Sequence, residues 1–313
     1  MKDKVKMGLL LTLCLLLCFV IQYFSSYVFD FIIFALAFLG TIEFRKLQLK
    51  AGCPCFDYCP EIACFLIFIT AFAGALCGLN ALTMLIIAIA IVVLFYACMY
   101  FGSSLIFSKE LSNDPFRNLA NLSVKQFALF KTNNTLSCIL YPSMPMFFMY
   151  FINHISTIGL QSFTDNTQGA AMGLFALILL FAICCLSDTF AMLLGILVGG
   201  KKIFPKISPK KTLSGCLFGL LGGIVGAVAT YIVFSAIYPN VFAIVNFWQF
   251  ALIGLVGSFV AQAGDLFESY IKRKAGVKDS GNFFRSHGGL LDRFDSIIFT
   301  IPFIFVCVLF LFG

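Results

Sequence analysis

Three groups of ionisable residues in the C-terminal half of the chain have the types and spacing to do chemistry on phosphates. The first pairs Ser187-Asp188 with the run KKIFPKISPKKT at residues 201–212. Its lysines, among them Lys206, Lys210 and Lys211, make a concentrated positive field in a short loop whose backbone Pro205 and Pro209 restrain. Attraction to anionic lipid head groups is the plainer use of the same charge. The second group is Gly264-Asp265-Leu266-Phe267-Glu268-Ser269. On a helix Asp265 and Glu268 share a face, and Lys272, one turn beyond Glu268, is its natural ion-pair partner. Asp265 has no cation at a matching position and calls for a metal ion or for a partner from another helix. The third group is His287-Gly288-Gly289-Leu290-Leu291-Asp292-Arg293-Phe294-Asp295. Its consecutive glycines permit positive φ and leave backbone amides uncovered for an anion. Asp292 and Asp295 fall in the opening turn of a helix, where Asp295 also suits a capping role. Carboxylates for Mg²⁺, cations for a triphosphate and a glycine turn to approach it are the inventory of nucleotidyl transfer. Ion conduction or proton relay would need polar residues through the thickness of several spans, and the outer halves of these spans are apolar.

The elements that must position these groups are membrane helices. The chain has 313 residues, of which 61% are hydrophobic and 11% charged, and it holds 40 phenylalanines. That composition excludes a water-soluble globular domain. The expected fold is an all-α, polytopic membrane helical bundle of about nine spans, each long enough to cross the hydrocarbon. They are placed at 7–23, 27–42, 61–78, 82–101, 136–153, 168–199, 214–237, 243–262 and 295–312. With the N-terminus inside, the inner segments 1–6, 43–60, 102–135, 200–213 and 263–294 hold all 21 Lys and Arg residues. The outer segments hold none, which puts the N-terminus in the cytoplasm and the C-terminus outside. The run 168–199 is read as one long helix interrupted at Ser187-Asp188-Thr189, because splitting it would reverse the basic loops. No soluble domain or linker is evident. Residues 1–313 therefore form a single membrane domain, with 1–167 supplying N-terminal spans and 168–313 the catalytic helices and their cytoplasmic loops 200–213 and 263–294.

Of the 13 cysteines most lie in apolar spans and behave as small hydrophobes. Cys53, Cys55, Cys59 and Cys64 cluster, but their spacing fits no familiar zinc pattern, and the loop is assigned to the reducing side. The sequons at Asn121 and Asn133 fall on that side too and are not read as glycosylated. Gly219, Gly222, Gly223 and Gly226 lie three or four residues apart and are read as a helix-packing face. The segment 102–135 mixes Lys109, Arg117, Lys125 and Lys131 with Phe and Leu and is placed along the membrane surface.

The C-terminal stretch resembles the signature of the CTP:phosphatidate cytidylyltransferases, the CDP-diacylglycerol synthases. Ser269, Ile271, Lys272, Arg273, Lys278, Asp279, Gly281, Phe284, His287, Gly288, Gly289, Leu290, Asp292, Arg293, Phe294 and Asp295 occupy the signature positions. The stretches SDTFA, ISPKKT and GDLFES also match, in order, so the resemblance covers residues 187–296. Arg285 stands where the family prefers Pro or Gly, Ile196 in place of a usual arginine, and Ser214 in place of a usual glutamate.

The resemblance implies transfer of the cytidylyl group of CTP to phosphatidate, giving CDP-diacylglycerol and pyrophosphate in phospholipid biosynthesis. It implies that Asp265 and Asp292 hold the metal, with Asp188 and Asp295 beside them. The cofactor is then Mg²⁺, with a second cation left open. Lys206, Ser208, Lys210, Lys211, Arg273, Lys278, Arg293, Gly288 and Gly289 are the candidate substrate-binding residues, and Asp265, Asp292, Lys272 and His287 the candidate catalytic ones. His287 is expected to hydrogen-bond a phosphate or orient a carboxylate. The expected partners are CTP, phosphatidate and the bilayer, with no nucleic acid and with a homodimer left open. The expected location is the plasma membrane, with the site facing the cytoplasm and the lipid entering through a lateral opening at the helix break near Asp188. A related enzyme such as a polyprenol kinase, or another CDP-lipid synthase, is the alternative. A kinase would release CDP and a cytidylyltransferase pyrophosphate.

Overall fold

The computed structural model describes residues 2–105, 111–112, 114–116, 122–155, 166–284 and 288–312, without side-chain detail at 2–12, 81, 104–105 and 166–170. Arg285 and His287 lie outside the described residues, as do Lys109 and Arg117.

The described chain is helical, with no strand. In order the helices are α1 (Lys2–Phe24), α2 (Ser26–Lys50), α3 (Cys59–Leu76), α4 (Ala81–Leu105), α5 (Val124–Cys138) and α6 (Met144–Asn153). They are followed by α7 (Asn166–Val198), α8 (Leu213–Ile237), the single turn α9 (Pro239–Phe242), α10 (Phe247–Lys274) and α11 (Leu291–Phe312). Among the described residues eight stretches are long and apolar enough to cross a membrane, and α1 adds the shorter apolar stretch Leu13–Phe24. Helices answer the need of a chain in hydrocarbon to satisfy every backbone amide internally. Large apolar side chains also point outward, as with Ile196, Leu197 and Phe310 at 77%, 78% and 86% exposure, which suits a lipid solvent. The protein is a multi-pass, all-α membrane protein.

Three local expectations are corrected. First, α7 runs unbroken through Ser187-Asp188-Thr189. The Thr189 hydroxyl donates to the Cys185 carbonyl at 2.7 Å, so a polar side chain is satisfied on its own helix and no break is required. Second, the segment placed on the membrane surface becomes helical at Val124. Ser123 and Gln126 form a reciprocal capping box there, and a wider π turn at Ile139–Ser143 joins α5 to α6. Val124–Asn153 is thus one candidate span whose polar residues have protein partners: Lys131 pairs with Asp114 at 3.2 Å and Asn134 donates to the Pro54 carbonyl at 3.1 Å. Third, the segment from 263 is not loop, since α10 continues to Lys274 and stops only before Gly276, where φ is +68°.

The chain divides into two compact units. Residues 1–32, 148–270 and 292–313 form the first, and residues 33–147 and 271–291 the second. In the first, Phe175 of α7 packs edge-on against Phe242, Phe234, Phe250 and Phe312, with ring centres 4.9, 5.1, 5.8 and 6.1 Å away. The glycine face of α8 does what its spacing implies. A Cβ on Gly222 would lie 2.4 Å from the Leu186 carbonyl oxygen of α7, and one on Gly223 2.4 Å from the Ser258 Cβ of α10. Only glycine lets α8 approach both neighbours so closely.

In the second unit, α2 packs through Phe44 on Tyr141, with ring centres 4.7 Å apart, and through the Thr41 hydroxyl on that of Ser143 at 2.8 Å. Arg45 holds the loop after α2 by pairing with Glu61 at 2.6 Å and Asp57 at 2.9 Å. Cys53, Cys55 and Cys64 are buried, and Cys55 Sγ lies 3.7 Å from Cys138 Sγ. Among the described residues no three His, Cys, Asp or Glu side chains close around a point as a ready-made metal cage.

Candidate active site

The first unit builds a cavity of about 770 Å³ between the facing ends of α7 and α8, the loop between them and the middle of α10. Its construction begins at Gly199 and Gly200, whose φ values of +65° and +124° end α7 and turn the chain back. Residues 201–213 then form a narrow hairpin. Ile203 N–H donates to the Lys211 carbonyl at 3.2 Å and Leu213 N–H to the Lys201 carbonyl at 2.9 Å. At its tip the Ser208 amide donates to the Phe204 carbonyl at 2.8 Å and the Lys211 amide to the Ser208 carbonyl at 3.2 Å. Thr212 caps α8 by accepting from the Gly215 amide at 3.1 Å, and the Ser214 hydroxyl donates to the Gly199 carbonyl. Gly195 and Gly215 meet at the cavity end of this helix pair, a Cβ on Gly195 falling 2.8 Å from the Gly215 Cα.

This hairpin carries its lysines to the carboxylates. Lys211 Nζ pairs with Asp265 Oδ2 at 2.7 Å and donates to the Gln262 carbonyl at 3.4 Å. The partner from another helix that Asp265 lacked is therefore a loop lysine, with the Ser269 hydroxyl donating to Asp265 Oδ1 at 3.4 Å on the other side. Asp188 stands within electrostatic reach of both Asp265 and Lys211. Asp188, Asp265, Ser208, Lys202, Lys210 and Lys211 all line the cavity, and so do Met192 and Ile196. Three lysines around two aspartates leave the wall net positive, which favours a polyanion.

Asp295 joins the acidic group from α11, within electrostatic reach of Asp265 and Glu268, while its Oδ1 accepts from the Ser296 amide at 2.7 Å. It lies in the second turn of α11, past the first-turn amides that a cap would serve, so the capping expectation is not met, and it faces other carboxylates. Like charges gathered this closely demand a compensating cation, a role Lys211 fills for Asp265. Asp292 is half-buried and Arg293 exposed in the first turn of α11, and neither is among the cavity-lining residues; nor is Lys206, which is exposed on the hairpin.

The remaining sequence-derived candidates belong to the second unit. Lys272 is buried at 8% exposure, while Arg273 and Lys278 are exposed. Arg273 Nη1 donates to the Val277 carbonyl at 3.4 Å, and Lys274 Nζ to Cys53 Sγ at 3.3 Å. Gly288 has φ +84° and its carbonyl accepts from the Phe284 amide at 2.9 Å. The glycine turn is not open to an external anion throughout. The Glu43 carboxylate of α2 reaches it, accepting from the Leu290 amide at 2.7 Å and from the Ser280 hydroxyl.

Two residues were missed in the sequence. Gln262 donates through Nε2 to the Cys216 carbonyl at 3.2 Å and ties α10 to α8 beneath the hairpin. Glu43 is the other: it lies one residue past the apolar run 27–42, where Lys46 three residues on offers an ordinary helical partner, so nothing local marks it as a site residue.

Fold and cavity together define a polytopic helical membrane protein with a lysine- and aspartate-lined pocket suited to phosphates. The model of the cytidylyltransferase family matches residues 4–311, and the chain belongs to that family. Among curated proteins it is similar to phosphatidate cytidylyltransferases. That of Rickettsia bellii is 47% identical over 130 residues, 41% of this chain and 55% of the relative. That of Rickettsia felis is 44% identical over 156 residues, 48% and 63% of the two chains, and that of Staphylococcus epidermidis 39% over 151 residues, 46% and 52%. The matched part of the chain spans between half and two thirds of the length of these relatives.

Proposed function

We propose that the protein transfers the cytidylyl group of CTP to phosphatidate, giving CDP-diacylglycerol and pyrophosphate. The observation that carries this reading is the convergence of the lysine hairpin and Asp265 on one cavity in a chain of the cytidylyltransferase family.

The donor set fits a magnesium ion. Mg²⁺ takes hard oxygen ligands and is usually held by one or two carboxylates, with substrate phosphates and water completing its shell. Asp265, Asp188 and Asp295 offer such oxygens in the first unit, and Asp292 lies one helical turn before Asp295. Among the described residues the buried Ser187 hydroxyl, next to Asp188 in the chain, has no hydrogen-bond partner, leaving a polar atom that a bound water would satisfy. Asp265 and Asp292 are the residues we assign to the metal, with Asp188 and Asp295 as their neighbours. When bound, the ion would neutralise triphosphate charge and that of the departing pyrophosphate.

The chain's own residues then do the positioning. Lys202, Lys210 and Lys211 bind phosphate oxygens, and Ser208 adds a hydroxyl at the mouth of the hairpin. A lipid phosphate oxygen attacks the α-phosphorus of CTP in line. The new P–O bond forms as the bond from the α-phosphorus to the bridging oxygen breaks, and pyrophosphate leaves with that electron pair. A phosphate monoester is already largely ionised near neutral pH, so no strong general base is needed. Rate enhancement rests on alignment and charge neutralisation. The concentration of Lys and Arg in the segments beside this site supports a position at the cytoplasmic face of the plasma membrane.

The test is purified full-length protein in lipid vesicles with CTP, Mg²⁺ and phosphatidate, assayed for CDP-lipid and for pyrophosphate. Both products in equal amounts are expected. Release of CDP with a phosphorylated lipid would establish the kinase reading, and no CTP turnover with phosphatidate would remove the proposed substrate.

A further inference from the structure

We infer that Glu43 is a positioning residue: its carboxylate clamps the glycine turn of the signature segment. Glu43 lies near the C-terminal end of α2, just past its apolar run, and its carboxylate is partly buried against another segment of the chain. All of its described partners come from one segment, 247 positions away at its far end. Oε2 accepts from the Leu290 amide at 2.7 Å, and Oε1 accepts from the Ser280 hydroxyl. One side chain thereby ties together both ends of the stretch from Ser280 to Leu290.

The glycines of that stretch are fitted to the carboxylate. A Cβ on Gly281 would fall 2.5 Å from Glu43 Oε1, and a Cβ on Gly289 only 1.4 Å from it. Glycine at 289 is thus required by the close approach of an internal anion, with Gly288 supplying the positive φ beside it. Amides exposed by a glycine turn attract an anion, and in this chain Glu43 is that anion. A charge-assisted bond to a backbone amide is stronger and shorter than a neutral one. It holds the register of Leu290, from which the chain enters α11 and, two residues later, Asp292.

The inference rests on the cytidylyl-transfer reading, so its test carries a readout independent of turnover. Glu43→Ala, Glu43→Gln and Ser280→Ala are made in the full chain and reconstituted in vesicles. Amide hydrogen exchange is followed at Ser280–Phe284 and Gly288–Leu290, alongside kcat and KM. In Glu43→Ala the Leu290 amide should exchange faster and kcat should fall by about 10- to 100-fold, the scale of a small misplacement of reacting groups, with little change in KM. Gln keeps the length and one acceptor oxygen for Leu290, while the Ser280 hydroxyl can turn to accept from its amide, so Glu43→Gln should recover most of the loss. Because Glu43→Ala also opens a gap, Ser280→Ala provides the milder case, with a smaller loss of kcat in the same direction. Either alanine variant with wild-type exchange at Leu290 and wild-type kcat overturns the inference. Faster exchange in an enzyme whose wild type makes no CDP-lipid would keep the clamp and sink the reaction.

Discussion

The first unit carries two charged groups in its apolar helices, and they are built on opposite plans. Asp30 near the start of α2 is 5% exposed, and both its oxygens are engaged: Oδ1 accepts from Asn153 Nδ2 at 2.7 Å, and Oδ2 pairs with His154 Nε2 at 2.6 Å. Asn153 also donates to the Ser26 carbonyl and accepts from Gln22, and the rings of Tyr27 and Tyr150 pack at a tilt against His154. Asp265 and Asp188, by contrast, line a cavity beside lysines, and Asp265 meets its partners, Lys211 and Ser269, at the edge of that open space. A buried charge closed off by hydrogen bonds serves the fold, whereas acids and lysines that line an open cavity can exchange partners with a ligand. Ionisable residues inside a membrane protein are therefore not equivalent signals of chemistry.

Substitutions can break or sharpen that contrast. The largest effect is expected from Asp265→Asn, which keeps the shape but removes the charge facing Lys211: CDP-lipid formation should fall about 10³-fold, with the unfolding temperature little changed. Asp30→Ala should do the reverse, costing about 3 kcal/mol of stability by leaving His154 and Asn153 without their acceptor while kcat of the folded fraction stays at the wild-type value. Measuring unfolding and turnover on both proteins decides the comparison, and an inactive but stable Asp30→Ala would undo it. Gly222→Ala places a methyl group against the Leu186 carbonyl and should destabilise by roughly 1–3 kcal/mol, read as a lower unfolding temperature. Thr212→Ala removes the cap of α8 at the base of the hairpin; a loss of about 1 kcal/mol is expected, with a modest rise in KM for CTP.

The legible parts of the site were those encoded locally. The glycine face of α8 acts against its nearest neighbours and appears as read, and Asp265 and Glu268 do lie on one continuous helix. Misplaced boundaries share a cause: hydropathy marks where lipid contact stops and is blind to a helix that continues with polar residues. Lys131 and Asn134 made α5 look like loop, and Asp265 through Lys274 hid the last turns of α10. At Ser187-Asp188-Thr189 polar groups implied a break, but a hydroxyl bonded to its own helix removes the need for one.

By itself the sequence determined that the chain is a set of membrane helices carrying clusters of acids and lysines near their ends, because lipid solvation and residue type act without reference to distant partners. Only the tertiary structure decided which charges meet. Lys211 reaches Asp265 because two glycine turns and a hairpin fold the loop back onto α10, and Glu43 fills the glycine turn because helix packing brings α2 against a distant segment. Electrostatic and hydrogen-bond partners are chosen by proximity in space, and spacing along a chain reports proximity only within one helix.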